Sequence, residues 1–153
     1  MVDRFEKFTF NLTEISKYYN KIASDEMGKY GLKGPYAIYL TAMFRHPEGV
    51  TSAKLCEICC RDKAEVSRAV AFMEKKGLVN REEINNNSYR ALLKLTDTGR
   101  EAAMHVCERI RIAVEMGSEG ISNEHRKLFY DALDIIARNL HKISREGLPG
   151  EKC

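Results

Sequence analysis

The chain has 153 residues, which suits one domain or one domain with helical extensions, and its formal net charge of +3 at pH 7 does not by itself indicate a polyanionic partner. No apolar run is long enough to span a bilayer and no secretory signal is visible, so we expect a cytoplasmic protein with no membrane partner. The five cysteines are odd in number and three of them lie within residues 56–60, which favours reduced thiols over a disulfide framework.

The first two predicted elements are helices. Apolar residues at near-helical spacing over residues 5–29 predict one long helix. Pro35 stands in the first turn of a second predicted helix, where its missing N–H costs nothing, and that helix reaches Phe44. A turn with proline and glycine at residues 46–49 ends it.

Residues 51–96 predict a short helix, a tight turn, a second helix and a β-hairpin. Thr51 or Ser52 can cap the short helix, and Asp62 with Glu65 forms a capping-box-like pair at the start of the second. Asparagines at 85–87 suit the tip of the hairpin because they tolerate a left-handed backbone. This order is a winged helix-turn-helix, a shape that lays its second helix in a DNA groove.

Two more helices complete the prediction, one capped by Thr96 and one capped by Ser122. We therefore predict a mainly α fold with a small β-wing, in which long dimerisation helices flank the winged helix-turn-helix. The predicted divisions are an N-terminal dimerisation helix (1–34), a DNA-binding domain (35–98) and C-terminal dimerisation helices (99–153). The apolar stripes at both chain ends favour a two-fold homodimer, the alternative being that these helices simply pack on each other.

The sequence resembles the MarR family of bacterial and archaeal transcriptional regulators over nearly its whole length. The segments that carry the resemblance are Gly49-Val50-Thr51, Leu55-Cys56-Glu57-Ile58-Cys59, Asp62-Lys63-Ala64-Glu65-Val66-Ser67-Arg68, Glu74-Lys75-Lys76-Gly77-Leu78-Val79 and Leu95-Thr96-Asp97-Thr98-Gly99. The resemblance implies a homodimeric regulator that binds a pseudo-palindromic double-stranded operator, a repressor released by a small-molecule effector. The chain departs from the family pattern at Phe72 and Tyr89, where the family often has arginine, and at Asn87, where it often has aspartate.

Candidate DNA contacts lie on the second helix of the winged segment and around it. Arg68 can bond two acceptors of guanine, while serine and lysine can hold phosphates. The helix start at Thr51 can receive a phosphate on its N–H groups, and an arginine beside the wing can enter the minor groove. The full predicted set is Thr51, Ser52, Lys63, Ala64, Ser67, Arg68, Arg81 and Arg90. Each candidate has an alternative. The outer side of the second helix can be an ordinary solvated face, Thr51 and Ser52 can serve only as helix caps, and the arginines beside the wing can be ordinary charges at strand ends.

The sequence offers few residues for redox, metal or catalytic chemistry. Cys56 and Cys59 fall on the core face of their predicted helix, whereas Cys60 is the candidate redox thiol because it lies just before a helix start and has Arg61 and Lys63 as neighbours. No zinc spacing and no catalytic constellation is present, so we predict neither a metal, nor another cofactor, nor an enzyme. Two alternative functions stay open, a winged-helix protein-interaction module without DNA binding and a thiol-based redox-sensing regulator.

The resemblance also implies a pocket for a small aromatic ligand where the dimerisation helices meet the winged segment. Aromatic walls with a few polar tips suit such a pocket. The candidates are Tyr18, Tyr36, Tyr39 and Phe44, and the alternative is that these rings fill the dimer core.

Overall fold

The computed structural model describes residues 3–84 and 87–150, without the side chains of residues 84 and 87–90. The helices are α1 (Arg4–Gly28), α2 (Ala37–Phe44, preceded by a 3-10 turn at Gly34–Tyr36), α3 (Ser52–Cys59), α4 (Lys63–Lys75), α5 (Asp97–Gly117) and α6 (Asn123–Glu146). The strands are β1 (Val50–Thr51), β2 (Val79–Ile84) and β3 (Asn87–Leu95). The predicted helices and both wing strands are therefore confirmed, and no helix within the described ranges is both long and apolar enough to cross a membrane.

The helices begin where the sequence places capping side chains. Thr51 Oγ1 accepts from the Lys54 amide at 3.1 Å, so Thr51 and not Ser52 caps α3. Asp62 Oδ1 accepts from the Glu65 amide at 2.8 Å, and Ser122 Oγ accepts from the amide of residue 125 at 3.2 Å. Each bond satisfies an N–H that the helix itself leaves without a partner.

The sheet has three antiparallel strands in the order β1-β3-β2. Strand β1 was not predicted, because two residues are too few to show an alternating pattern. It pairs Val50 with Leu93, and Gly49 precedes it with a φ of +103°. Glycine adopts this φ without strain, and a Cβ on Gly49 would also lie 3.0 Å from Leu92 Cβ, so a larger residue would have to displace its neighbour.

The chain forms two compact units, residues 1–113 and 114–153, with the boundary inside α5. The core of the first unit joins α1 to the winged segment and to the first part of α5. Its largest fully buried side chains include Met27, Leu40, Leu55, Met73, Leu93 and Val106.

The end of α4 and the start of α5 are joined by Thr96. Its hydroxyl donates to the Gly77 carbonyl at 2.7 Å and accepts from the Gly99 amide at 3.0 Å, while its own amide donates to the Leu78 carbonyl at 3.0 Å. Gly99 is buried against the Leu78 carbonyl, where a Cβ would lie 1.9 Å from the oxygen. The Gly77-Leu78 and Thr96-x-x-Gly99 segments are therefore in direct contact, which explains why one chain contains both.

A buried carboxylate joins α1 to α5. Glu26 is 8% exposed, and its oxygens lie 2.6 Å from Lys29 Nζ, 2.9 Å from His105 Nε2 and 3.4 Å from Arg109 Nε. These hydrogen bonds, that of Lys29 first, lower the pKa of Glu26 to about 2. The group therefore stays ionised, and its partners hold the end of α1 on the side of α5.

Candidate nucleic-acid interface

Helix α4 divides cleanly into a buried and an exposed side. Val66, Ala69, Val70 and Met73 are buried in the core, which confirms the predicted apolar stripe. The exposed side carries Lys63, Ala64, Ser67, Arg68 and Ala71. The predicted outward face of α4 is thus confirmed, whereas its contact with DNA remains a prediction.

The exposed side of α4 has small residues along its middle and cations at its edges. At 100° per residue, Ser67, Ala71 and Ala64 lie between Lys63 on one edge and Arg68 on the other. Small side chains let a helix approach a groove closely, and cations on either side can reach its walls. Neither Lys63 nor Arg68 forms an ion pair or hydrogen bond within the described part of the chain, so both are available to an external anion.

The first turn of α4 differs from the predicted capping box. Asp62 accepts from the Glu65 amide as predicted. The Glu65 carboxylate, however, pairs with Arg61 Nη1 at 3.6 Å, and within the described residues it does not return to the Asp62 amide. The ion pair is available because Arg61, in the turn before α4, stands four residues before Glu65.

Arg81 is less available to DNA than the sequence suggests. Its Nε and Nη2 lie 3.1 and 3.3 Å from the two carboxylate oxygens of Glu74, so the guanidinium ties β2 to α4. Arg90 belongs to β3, but its side chain lies outside the described residues. Thr51 and Ser52 are half-buried at the start of α3, where Thr51 already serves as the cap.

The thiols occupy three different environments on α3. Cys59 is buried, and burial raises its pKa to about 11, which agrees with the predicted packing role. Cys56 is half-buried against the core. Cys60 is exposed but closes the end of α3 in a left-handed conformation, and its Sγ lies 3.7 Å from the Glu57 carbonyl oxygen. Cys60 therefore ends α3 two residues before Asp62 caps α4, and its redox role remains a prediction.

The four predicted pocket aromatics do not line one cavity. Tyr36 packs edge-on against Phe72 at a ring separation of 5.6 Å, Tyr39 is buried, and Phe44 packs on the core. Tyr18 lies on the exposed side of α1. Three of the rings, Tyr36, Tyr39 and Phe44, thus pack in or on the core of the single chain, and both the ligand pocket and the dimer core remain predictions for them.

A groove of about 350 Å³ lies beside these rings, between α1 and α2. None of the four predicted aromatics is among the described residues that line it. Its polar lining consists of Tyr19, Asn20, Ser24, Thr41 and Arg61, and Ala23, Pro35 and Ile38 contribute apolar surface. Tyr19 follows Tyr18 directly, and one step along a helix turns a side chain by 100° onto another face. The sequence around Arg61 does not indicate a place in this groove, because only the fold brings residue 61 close to α1.

Comparison with known proteins finds one relative by sequence and several solved structures with a similar fold. No protein-family model matches the sequence. An HTH-type transcriptional regulator of Bacillus subtilis, YdgJ, is 30% identical over 105 residues, which are 68% of this chain and 63% of YdgJ, so the chain spans less than two thirds of that relative.

Two solved structures share the fold over most of both chains. A MarR-family regulator of Listeria monocytogenes, complexed with a 26mer DNA, has a TM-score of 0.83 and 21% identity, with 99% of this chain and 100% of that chain covered. CouR of Rhodococcus jostii RHA1, bound to p-coumaroyl-CoA, has a TM-score of 0.77 and 20% identity, with 90% and 96% covered. The predicted fold is confirmed, and the relatives are transcriptional regulators and not enzymes.

Proposed function

We propose that this chain, whose fold is that of the MarR-family regulators, is a homodimeric, sequence-specific DNA-binding transcriptional regulator. The observation that carries the proposal is the exposed side of α4, with small residues in its middle and, at its edges, Lys63 and Arg68, which have no ion-pair or hydrogen-bond partner among the described residues. Arg68 is assigned to base edges and Lys63 to phosphates. The Listeria monocytogenes protein solved with DNA supports this use of the fold.

Dimer formation is proposed from apolar side chains that the single chain leaves in solvent. On α1, Phe5, Phe10 and Ile15 are 60–71% exposed, and α6 buries no residue at all among those described. Many large apolar side chains exposed along one helix are typical of a surface that contacts another protein. A second copy covering them would place two α4 helices on one duplex, which requires half-sites about 34–36 Å apart and hence a pseudo-palindromic operator.

Repression released by a small-molecule effector is the regulatory part of the proposal. The groove between α1 and α2 offers the space, and the p-coumaroyl-CoA complex of CouR supports a small ligand in this fold. The two α4 helices of a dimer can stand at a spacing that fits DNA or at one that does not. An effector releases DNA only if it binds these two states with different affinity, because equal affinity leaves their populations unchanged. We place the protein in the cytoplasm, where its DNA would be.

Salt-dependent duplex binding tests the DNA-binding proposal. Anisotropy of a labelled random-sequence duplex is measured across roughly 50–200 mM salt, where log affinity falls by about 0.9 per phosphate contact for each tenfold rise in salt. Lys63→Ala should reduce the slope by about two units, because a dimer would lose one phosphate contact of about 0.9 units on each of its two half-sites. Lys127→Ala, an exposed cation on α6, serves as the control. Absence of binding at low salt would favour a protein-interaction module.

A further inference from the structure

The outer strand of the wing, β2, is tied to the last turn of α4 by a bidentate ion pair. Arg81 of β2 places its Nε 3.1 Å from one carboxylate oxygen of Glu74 and its Nη2 3.3 Å from the other. Two parallel N–H···O bonds hold a guanidinium in one orientation, because the guanidinium and the carboxylate are both planar. The pair therefore fixes a direction as well as a distance between the strand and the helix.

The turn between α4 and β2 fixes the place where the strand starts. The Leu78 amide donates to the Met73 carbonyl at 3.0 Å, and Gly77 between them has a φ of +72°, a common way to close a helix end. Val79 is buried, whereas residues 80–83 are exposed. Among its described side chains, β2 thus packs on the core at its start and not along residues 80–83.

Glu74 stands on the edge of α4 that also carries Lys63. About three turns of helix separate the two residues, which brings them onto nearly the same side. The ion pair therefore holds β2 along the border of the exposed side that we propose to face DNA. A helix in the major groove and a wing at the adjacent minor groove can bind one duplex together if the angle between them fits its two grooves.

The guanidinium of Arg81 is poorly placed for a direct contact with DNA. Two of its N–H groups already meet the Glu74 carboxylate, and the two side chains are 41% and 29% exposed. A phosphate would have to displace that carboxylate, whose charge repels the DNA backbone. The pair as a whole carries no net charge, so it adds little to the electrostatic attraction of a duplex.

We propose that Arg81 is a positioning residue, which through Glu74 holds the wing at the angle to α4 that fits adjacent grooves of one duplex, without touching the DNA. This role rests on the proposed DNA-binding function and deepens it. Without the ion pair the wing samples other angles, and the apparent affinity falls in proportion to the fraction of molecules that still have the fitting one. The number of phosphate contacts, and hence the salt dependence, stays the same.

Removal of the Glu74 carboxylate separates positioning from contact, because the two roles predict opposite changes. Glu74→Ala should weaken binding to a duplex that the unmodified protein selects from a random pool by about three- to tenfold, since a partly exposed pair biases an equilibrium by up to about fivefold and a dimer contains two. A contact role for Arg81 predicts tighter binding, because the substitution frees the guanidinium and removes a negative charge. Unchanged or tighter binding would overturn the proposal.

The matched control is Glu82→Ala, which also removes one carboxylate from an ion pair of the wing. Its partner, Lys94, belongs to β3, so this pair lies within the wing and does not reach α4. Glu82→Ala should bind the selected duplex at least as tightly as the unmodified protein does. A loss equal to that of Glu74→Ala would mean that the bridge to α4 has no special role.

Substitutions of Arg81 give the second test. Arg81→Ala should lose as much affinity as Glu74→Ala with an unchanged salt slope, and the double variant should lose no more than either single one, because the two residues act through one contact. A phosphate contact would instead reduce the slope by about 0.9 on each half-site. Arg81→Lys keeps the charge without the planar fork, so it should also bind more weakly. A reduced slope, additive losses or full affinity in Arg81→Lys would contradict the positioning role.

NMR of the DNA-free protein tests the ion pair independently of DNA. The Nε–H proton of Arg81 should move to lower frequency in Glu74→Ala, because it loses its hydrogen bond, and should stay in place in Glu82→Ala. An unchanged Nε–H signal in Glu74→Ala would overturn the bridge itself. If the signal moves and DNA affinity does not change, the positioning role alone is wrong. If the unmodified protein binds no duplex at low salt, the proposed function fails, and the bridge is a structural contact.

Discussion

Replacing Gly99 by alanine is expected to destabilise the first compact unit by about 3 kcal/mol, a large effect for a one-carbon change. The added Cβ would lie 1.9 Å from the Leu78 carbonyl oxygen and 2.8 Å from its carbon. The obstacle is backbone, which cannot rotate away as a side chain does. Helix α5 must therefore move back by more than an ångström at its first turn.

The magnitude follows from three contributions. Overpacking against backbone belongs at the upper end of the usual range, about 3 kcal/mol. Displacing α5 also lengthens the bond from the Gly99 amide to Thr96 Oγ1, now 3.0 Å, which costs about 1 kcal/mol. Alanine regains about 1 kcal/mol through its better helix propensity. For a chain of this length the net loss lowers the melting temperature by about 6–12 °C.

Thermal unfolding at a fixed protein concentration measures this effect, since melting of an oligomer depends on concentration. Gly28→Ala is the matched control, because Gly28 ends α1 and its added Cβ would meet nothing within 4 Å. The control should be neutral or more stable by up to about 1 kcal/mol. A Gly99→Ala protein that melts within about 2 °C of the unmodified chain, a shift worth less than about 1 kcal/mol, would refute the reasoning.

Further outcomes are expected at four other sites. Arg68→Ala should weaken binding to a selected operator by about 1–3 kcal/mol and binding to random duplex by less; equal losses would make Arg68 a phosphate contact. Leu140→Glu, at a half-exposed position of α6, should yield monomer in sedimentation, and an unchanged dimer would place the interface elsewhere. Because the pKa of Glu26 is lowered from 4.5 to about 2, its stabilisation is complete above pH 4.5 and is lost as pH falls toward 2; Glu26→Gln should show a flatter melting profile across that window. Cys60→Ser should bind DNA as tightly as the unmodified protein does, both before and after treatment with mild peroxide. A loss of DNA affinity on peroxide treatment that occurs only when Cys60 is present would support the redox-sensing alternative.

Local features of this protein could be predicted because they depend on residues a few positions apart. Thr51, Asp62, Thr96 and Ser122 cap the helices that they were expected to cap, since a capping oxygen reaches an amide only two or three residues ahead. The outward side of α4 follows in the same way from the 3.6-residue period of its buried stripe. The fold class and the exposed candidates Lys63 and Arg68 therefore came from the sequence.

Contacts between distant residues came only from the tertiary structure. The Glu26–His105 pair joins residues 79 positions apart, and the Arg81–Glu74 pair occupies a guanidinium that the sequence assigned to DNA. The groove lining gathers Tyr19, Thr41 and Arg61 from three separate elements. No spacing rule links such residues, because their distance is set by how the helices pack and not by the period of any one of them. The sequence by itself determined which face of α4 is buried, and packing decided which polar groups of different elements meet.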